Sequence, residues 1–110
     1  MQGIGIDIVE MSRIKKIGNL SRFLEFVFSS SEIREAGSRK DKYAFIASRF
    51  AAKEAVIKAL PEKISAKDFE IIKNGAKPIV HFLNKRFKKY KVLVSLSHSE
   101  DYSAGLAVVL

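Results

Sequence analysis

The chain has no cysteine and no tryptophan, and only two prolines and two histidines among its 110 residues. Without cysteine there is no disulfide framework, no thiolate nucleophile and no Cys-ligated zinc. No stretch approaches the 18 apolar residues that would suggest a membrane span. Asp7 and Glu10 interrupt the N-terminal apolar stretch, and no basic segment precedes it, so it does not read as a secretory signal. The expectation is a cytoplasmic protein. Walker A and Rossmann glycine patterns are absent, as is a nucleophile elbow. His98 and Asp101, with the serines around them, lie too close in sequence for the usual Ser-His-Asp geometry. Acidic residues are the minority, 12 against 20 Lys+Arg, which leaves a net charge of +8. Nucleic acid, an acidic membrane and an acidic protein partner all fit that charge.

What is present is globular composition, 47% hydrophobic and 29% charged. The length fits one domain, residues 1–110, and a chain of this size buries roughly 65% of its unfolded surface, a modest core that leaves apolar surface for an oligomer. Residues 3–9 alternate as a strand, with Ile4, Ile6 and Ile8 on one face and Gly3, Gly5, Asp7 and Val9 on the other. Glycines inside a strand often mark close approach by a ligand or another backbone. The plainer alternative is an edge with a solvated Asp7. Ser12 is placed to cap a short helix through Ile14 and Ile17 that Gly18 closes. Ser29 and Glu32 have capping-box spacing, with Phe28 and Ile33 as the staple, in a helix ended by Gly37.

From Lys42 to Leu60 there is neither Gly nor Pro, and Pro61 stops the run. This is the longest expected helix. Ala44, Ser48, Ala51, Ala55 and Ala59 form a small-residue stripe that suits close packing, so the helix should be central. A bulky band contains Phe45, Ile46, Phe50, Val56, Ile57 and Leu60, with Arg49 and Lys53 inside it, while Glu54 and Lys58 lie at its border. Charges on so apolar a helix must be paired, bound to metal or facing a cleft, and the cleft is the reading taken for Arg49, Lys53, Glu54 and Lys58. Beyond Pro61, Phe69–Ile72 and Ile79–Phe82 are short strands, with Asn74-Gly75 and Lys77-Pro78 as turn signals. Leu83, Phe87 and Tyr90 suggest a short basic amphipathic helix. Val92–Ser97 and Ala104–Leu110 form an antiparallel hairpin. Asp7 and Glu54, with cations near Glu54, would suit Mg²⁺ held by two carboxylates and substrate phosphates.

Three motifs then stand out together. Gly5-Ile6-Asp7-Ile8-Val9-Glu10 with Arg13-Ile14, the run Arg49-Phe50-Ala51-Ala52-Lys53-Glu54-Ala55, and Ser95-Leu96-Ser97-His98-Ser99 followed by Tyr102-Ser103-Ala104 resemble bacterial holo-acyl-carrier-protein synthases, small 4′-phosphopantetheinyl transferases. The resemblance spans the whole chain in order. It implies an α+β fold, with a long central helix against a small, mainly antiparallel sheet, assembled as a homotrimer with active sites at the subunit interfaces. It implies transfer of 4′-phosphopantetheine from coenzyme A to a serine of acyl carrier protein, an acidic partner, with Mg²⁺ as cofactor and adenosine 3′,5′-bisphosphate released. Matched position by position, Asp7 and Glu54 would hold the metal, with Glu54 also the base for the serine. Lys58 would sit near the pyrophosphate, Arg49 and His98 on the nucleotide phosphates, and Arg13 against the carrier protein. Where the family usually has a Gly-Thr-Gly loop, this chain has Pro61-Glu62-Lys63. Proline offers no N–H and Glu62 adds an anion, so weaker coenzyme A binding is expected. Two other readings stay open: a basic nucleic-acid module using Lys85–Lys91, and a transferase relative that binds without turnover.

Overall fold

The computed structural model describes residues 1–110. The chain runs β1 (Gly3–Glu10), α1 (Met11–Lys15), α2 (Leu20–Val27), α3 (Ser30–Ser38), α4 (Lys42–Ala59), β2 (Phe69–Asn74), β3 (Lys77–Phe82), β4 (Val92–His98) and β5 (Tyr102–Val109). This is an α+β fold. Its strands sort into two antiparallel sheets, a three-stranded one in the order β1-β5-β4 and a separate β2-β3 hairpin.

The long helix α4 lies directly on the backbone of β1 and β5. A methyl group added at Gly3 would sit 1.8 Å from the Ala59 carbonyl oxygen, one at Gly5 2.1 Å from that of Ala55, and one at Gly105 2.7 Å from that of Ala51. The alanine stripe and the strand glycines are therefore two halves of one seam, and the backbone that approaches the glycines is the helix. The stripe does what small residues permit: it lets helix and sheet close to backbone contact. The same register turns Ile4, Ile6 and Ile8 outward, opposite Val108, Leu106 and Ala104 of β5. That outer face is apolar yet exposed, with Ile6 at 66%.

Two apolar clusters flank α4. One joins Val56, Leu60 and Ile64 to Phe69, Ile71, Phe82 and Phe87 of the β2-β3 region. The other packs Phe45, Ile46 and Ala51 against Val9, Ile14, Leu24, Phe28 and Ala36 under the short helices. Between them lies Lys53, completely buried. Its Nζ donates to Glu32 Oε1 at 2.7 Å and to the Val27 carbonyl at 2.9 Å. Glu32 completes the expected capping box, accepting from Ser29 N, while its Oε2 accepts from Ile71 N at 2.9 Å. Burial pulls the Lys53 pKa down against the opposing pull of Glu32. Lys53 is thus paired and structural, which corrects its assignment to a cleft. A second polar knot tightens the same corner. Glu70 accepts from Ser29 and Ser31 and contacts His81 Nδ1 at 2.8 Å.

Several local expectations change. Glu10, not Ser12, precedes α1, and no side chain caps that helix. Helix α2 was not foreseen, although Leu20, Phe23, Leu24 and Val27 carry helical spacing; Asn19 caps it by accepting from Arg22 N. Gly37 lies inside α3, which ends at Ser38. Lys77 and Pro78 belong to β3, pairing with Asn74 and Lys73, and the turn is made at Gly75, whose φ is +67°. Residues 85–87 form only a 3-10 turn capped by Asn84, with Phe87 buried. So short a segment cannot repay helix nucleation.

The seam sets the first prediction. Gly5→Ala should destabilise the protein by roughly 3 kcal/mol or more in urea unfolding, because the added carbon meets backbone that cannot move aside. Gly37→Ala, where nothing lies within 4 Å, should instead stabilise by about 0.5–1 kcal/mol through helix propensity.

The Glu70 knot sets the second. Burial pushes the Glu70 pKa up, but the hydrogen bonds from Ser29, Ser31 and His81 outweigh it and hold the carboxyl below its usual range. A depressed carboxyl pKa gives stability present above the unfolded value and lost as pH falls through the folded one. Glu70→Gln should cost about 1–2 kcal/mol at neutral pH. It should also flatten the fall in melting temperature below the unfolded carboxyl pKa of about 4.3.

Candidate active site

The residues expected at the site fall into two groups on different sides of α4. Because β1 runs opposite to α4, with Gly3 at Ala59 and Gly5 at Ala55, Asp7 comes level with the next turn. Its pairing with Gly105, which abuts Ala51, confirms the level. Helical side chains lean toward the N-terminus, and Lys58 leans back to this strand. Its Nζ lies 3.1 Å from Asp7 Oδ1 and 3.0 Å from the Ile6 carbonyl oxygen. Glu54, one turn before Lys58, is half-buried on the same edge, and its carboxylate engages no other side chain. The edge thus gathers the Asp7 carboxylate, a backbone carbonyl and one ammonium, with Glu54 one helical turn from Lys58.

The second group lines a cavity of about 760 Å³ between the first half of α4, the β2-β3 hairpin and β4. Ala44 and Ser48 continue the small-residue stripe there and line the cavity, with the Ser48 hydroxyl 3.0 Å from that of Ser103 on β5. Arg49 and His98 both line it; Asp7, Glu54 and Lys58 do not. Arg49 is only 3% exposed, and its Nε and Nη2 have no hydrogen-bond partner. The guanidinium rests over the Phe45 ring, 4.8 Å from its centroid. Burial pulls its pKa below the ordinary value, with Glu35 and Glu32 opposing, yet an arginine stays charged. Buried charge with free donors fits an anion that would complete it.

Lys73 and Lys77 add positive charge to the cavity rim. Neither is marked as a site residue by the sequence motifs, where Lys77-Pro78 reads as a turn signal. Register explains Lys73, because it faces Pro78 across the hairpin. Arg39 also lines the cavity but is committed to Asp41, with Nε 3.0 Å from Oδ1. Arg13 is exposed on α1, in the second group's company no more than the first's.

The Pro61-Glu62-Lys63 segment also resolves. Glu62 accepts from Arg86 Nε at 2.9 Å and from the Tyr90 hydroxyl, and Lys89 lies 3.3 Å away. The Tyr90 hydrogen bond, with Arg86 and Lys89, holds the Glu62 carboxyl below its usual range. Its charge is neutralised by the 85–90 segment rather than left to repel a ligand.

Residues 3–107 match the family model of the 4′-phosphopantetheinyl transferase superfamily. The chain is 40% identical to the holo-[acyl-carrier-protein] synthase of Chlamydia caviae over 116 residues, which cover 97% of this chain and 95% of that one. It is similar to the crystal structure of Helicobacter pylori holo-[acyl-carrier-protein] synthase in complex with coenzyme A, with a TM-score of 0.84, 34% identity and coverage of 97% and 99%. The synthase from Neisseria meningitidis gives a TM-score of 0.87 at 30% identity, covering 100% of this chain and 98% of that one. The chain belongs to the 4′-phosphopantetheinyl transferase superfamily.

Arg49→Met should leave the fold as stable as before or raise its melting temperature, because no protein partner is lost with the charge. Binding of a nucleoside 3′,5′-bisphosphate should weaken by about 10- to 100-fold in calorimetric titration, the worth of hydrogen bonds to a charged group.

Proposed function

We propose that this protein is a holo-acyl-carrier-protein synthase, which moves 4′-phosphopantetheine from coenzyme A to a serine of acyl carrier protein. The observation that carries the reading is Arg49: a buried guanidinium with two free nitrogens on the wall of a cavity ringed by Lys73, Lys77 and His98. Such a cavity suits the phosphates of a nucleotide. Arg49 and His98 would bind them, the two lysines adding charge. In the reaction the serine Oγ attacks the phosphorus that bears pantetheine. The bridging P–O bond breaks, and adenosine 3′,5′-bisphosphate departs with that oxygen. Glu54 takes the serine proton, and Lys58 supports the diphosphate. Positioning and charge stabilisation supply most of such catalysis.

The donor set at the Asp7 edge fits Mg²⁺, which prefers hard oxygens and keeps waters and substrate phosphates beside one or two carboxylates. Asp7 and Glu54 would hold it, and there it would offset charge developing on the leaving oxygen. Arg13 would meet the acidic carrier, and the chain's net +8 favours that encounter. No helix is long and apolar enough to cross a membrane, in keeping with a cytoplasmic home for the 1–110 unit.

The separation of the two groups supports a site shared between copies. In one chain the carboxylate edge and the phosphate cavity do not line a common space. The exposed Ile4, Ile6 and Ile8 face beside Asp7 offers the surface for assembly as a homotrimer. The competing nucleic-acid reading of Lys85–Lys91 is weakened by Arg86 and Lys89, which are committed to Glu62. The non-catalytic reading rests on the lost glycine loop; the Glu62 charge is compensated by Arg86, Lys89 and Tyr90, while Pro61 still offers no N–H.

Mass spectrometry of apo-acyl carrier protein after incubation with coenzyme A and Mg²⁺ should record the gain of one phosphopantetheine. Asp7→Ala and Glu54→Ala should each lower the rate by at least about 10²- to 10⁴-fold, as should EDTA. Light scattering should give three times the chain mass. Mixing Asp7→Ala with Arg49→Met subunits should restore part of the activity that each lacks alone. No transfer by the unaltered protein would refute the function, and no restoration on mixing would refute the shared site.

A further inference from the structure

Lys58 makes a contact that the transfer reaction does not call for. Its ammonium rests on Asp7 Oδ1 and on the Ile6 carbonyl, at 3.1 and 3.0 Å. These are hard oxygens, the kind a divalent cation would take. The ammonium therefore stands where a metal held by Asp7 would compete with it. We propose that Lys58 is a resident counter-ion that a divalent cation must displace from Asp7, so that metal and diphosphate bind cooperatively. The proposal rests on the reading of Asp7 and Glu54 as metal-holding residues.

The side chains have the properties this needs. The Asp7 side chain is 19% exposed and the Lys58 side chain 53%. A carboxylate so enclosed is better off with a cation beside it. The lysine head is a point charge on a flexible four-carbon stem, and its Cα is fixed on α4. It can leave Asp7 without disturbing the helix, which the glycine-alanine seam already holds to β1. Two cations on one carboxylate oxygen repel each other. Metal entry therefore has to move the ammonium, and without an anion nearby that ammonium loses its partner. A diphosphate bound at the same edge gives it a new one. By reciprocity, each of metal and diphosphate then strengthens the other's binding. Free protein would hold little metal, and the loaded arrangement would form only with substrate. A purely structural role, a staple between α4 and β1, predicts the opposite dependence: removing Lys58 would loosen the edge and weaken metal binding.

Titration of Mn²⁺ into the whole protein, followed by the electron paramagnetic resonance of the free ion, separates the two. With Mn²⁺ alone, Lys58→Met should bind about 5- to 10-fold more tightly than the wild type, within the usual range for coupled sites. Lys58→Arg, which keeps the cation, should bind like the wild type. Asp7→Asn should bind far more weakly than either. With saturating coenzyme A the order should reverse, the wild type binding Mn²⁺ more tightly than Lys58→Met. Equal or weaker Mn²⁺ binding by a folded Lys58→Met, or an Asp7→Asn titration that matches the wild type, overturns the proposal. The carrier-protein assay keeps the two readings apart. An active wild type with an unaltered Lys58→Met titration leaves the transferase standing and removes the counter-ion. An inactive wild type removes the transferase.

Discussion

Everything in this molecule depends on how closely α4 lies on the sheet. Gly3, Gly5 and Gly105 have no side chains to hold the helix off, and Ala51, Ala55 and Ala59 have almost none. A helix seated on side chains would stand about 8–10 Å from its neighbour; here the carbonyls of α4 reach the strand backbone. That approach brings Asp7 of β1 within reach of Lys58, one helical turn from Glu54. One register step on β1 would turn Asp7 outward and bring Ile6 or Ile8 in, since a strand's faces alternate. The same stripe continues through Ser48 and Ala44, whose small side chains form part of the cavity wall.

Two cations four residues apart on α4 illustrate how structural and ligand-directed charge can be told apart. Lys53 and Arg49 are both buried and lie in the same band of the helix. Lys53 has an ion pair and a carbonyl, with the rings of Phe28 and Phe69 beside it. Its desolvation is met within the chain. Arg49 is covered as thoroughly, yet two of its nitrogens have nothing to donate to. Burying donors without acceptors is costly, and only the second pattern leaves a role for something from outside. Burial alone would have ranked Lys53 as the stronger candidate.

The sequence made the main architecture legible because strong periodicities carried it. The alternation at 3–9, the uninterrupted run from Lys42 and the Ser29–Glu32 box became β1, α4 and the start of α3. Partnerships between distant residues were not legible. Lys53 could be recognised as anomalous, but its pairing with Glu32 depends on how α3 crosses α4. Glu62 read as an obstacle to a ligand until the fold brought Arg86, Lys89 and Tyr90 to it. The helix expected around Phe87 failed for a local reason, since Asn84 turns the chain and Phe87 is pulled into the cluster with Phe82. Helix α2 carries helical apolar spacing at Leu20, Phe23, Leu24 and Val27, but it is only eight residues long and has no acidic residue in its first turn, so its sequence signal is weak.

The division of the site follows from the same geometry that creates it. A helix has two flanks, and a sheet packed against it fills the space between them. Glu54 and Lys58 lie on the flank toward the outer edge of β1, whereas Arg49 faces the space beside β4. A ligand with a diphosphate and one further phosphate apart from it could touch both groups of one copy only by passing around α4, where the sheet is in the way. A second copy removes the obstruction if its cavity meets the first copy's β1 edge. That edge borders a broad exposed apolar surface, the Ile4, Ile6 and Ile8 face. Exposed aliphatic surface of this kind is unfavourable in a lone chain, and its burial would provide the drive that brings the two half-sites together. On this reading, assembly and catalysis share a cause: the glycines that draw α4 onto β1 leave the isoleucines between them pointing outward.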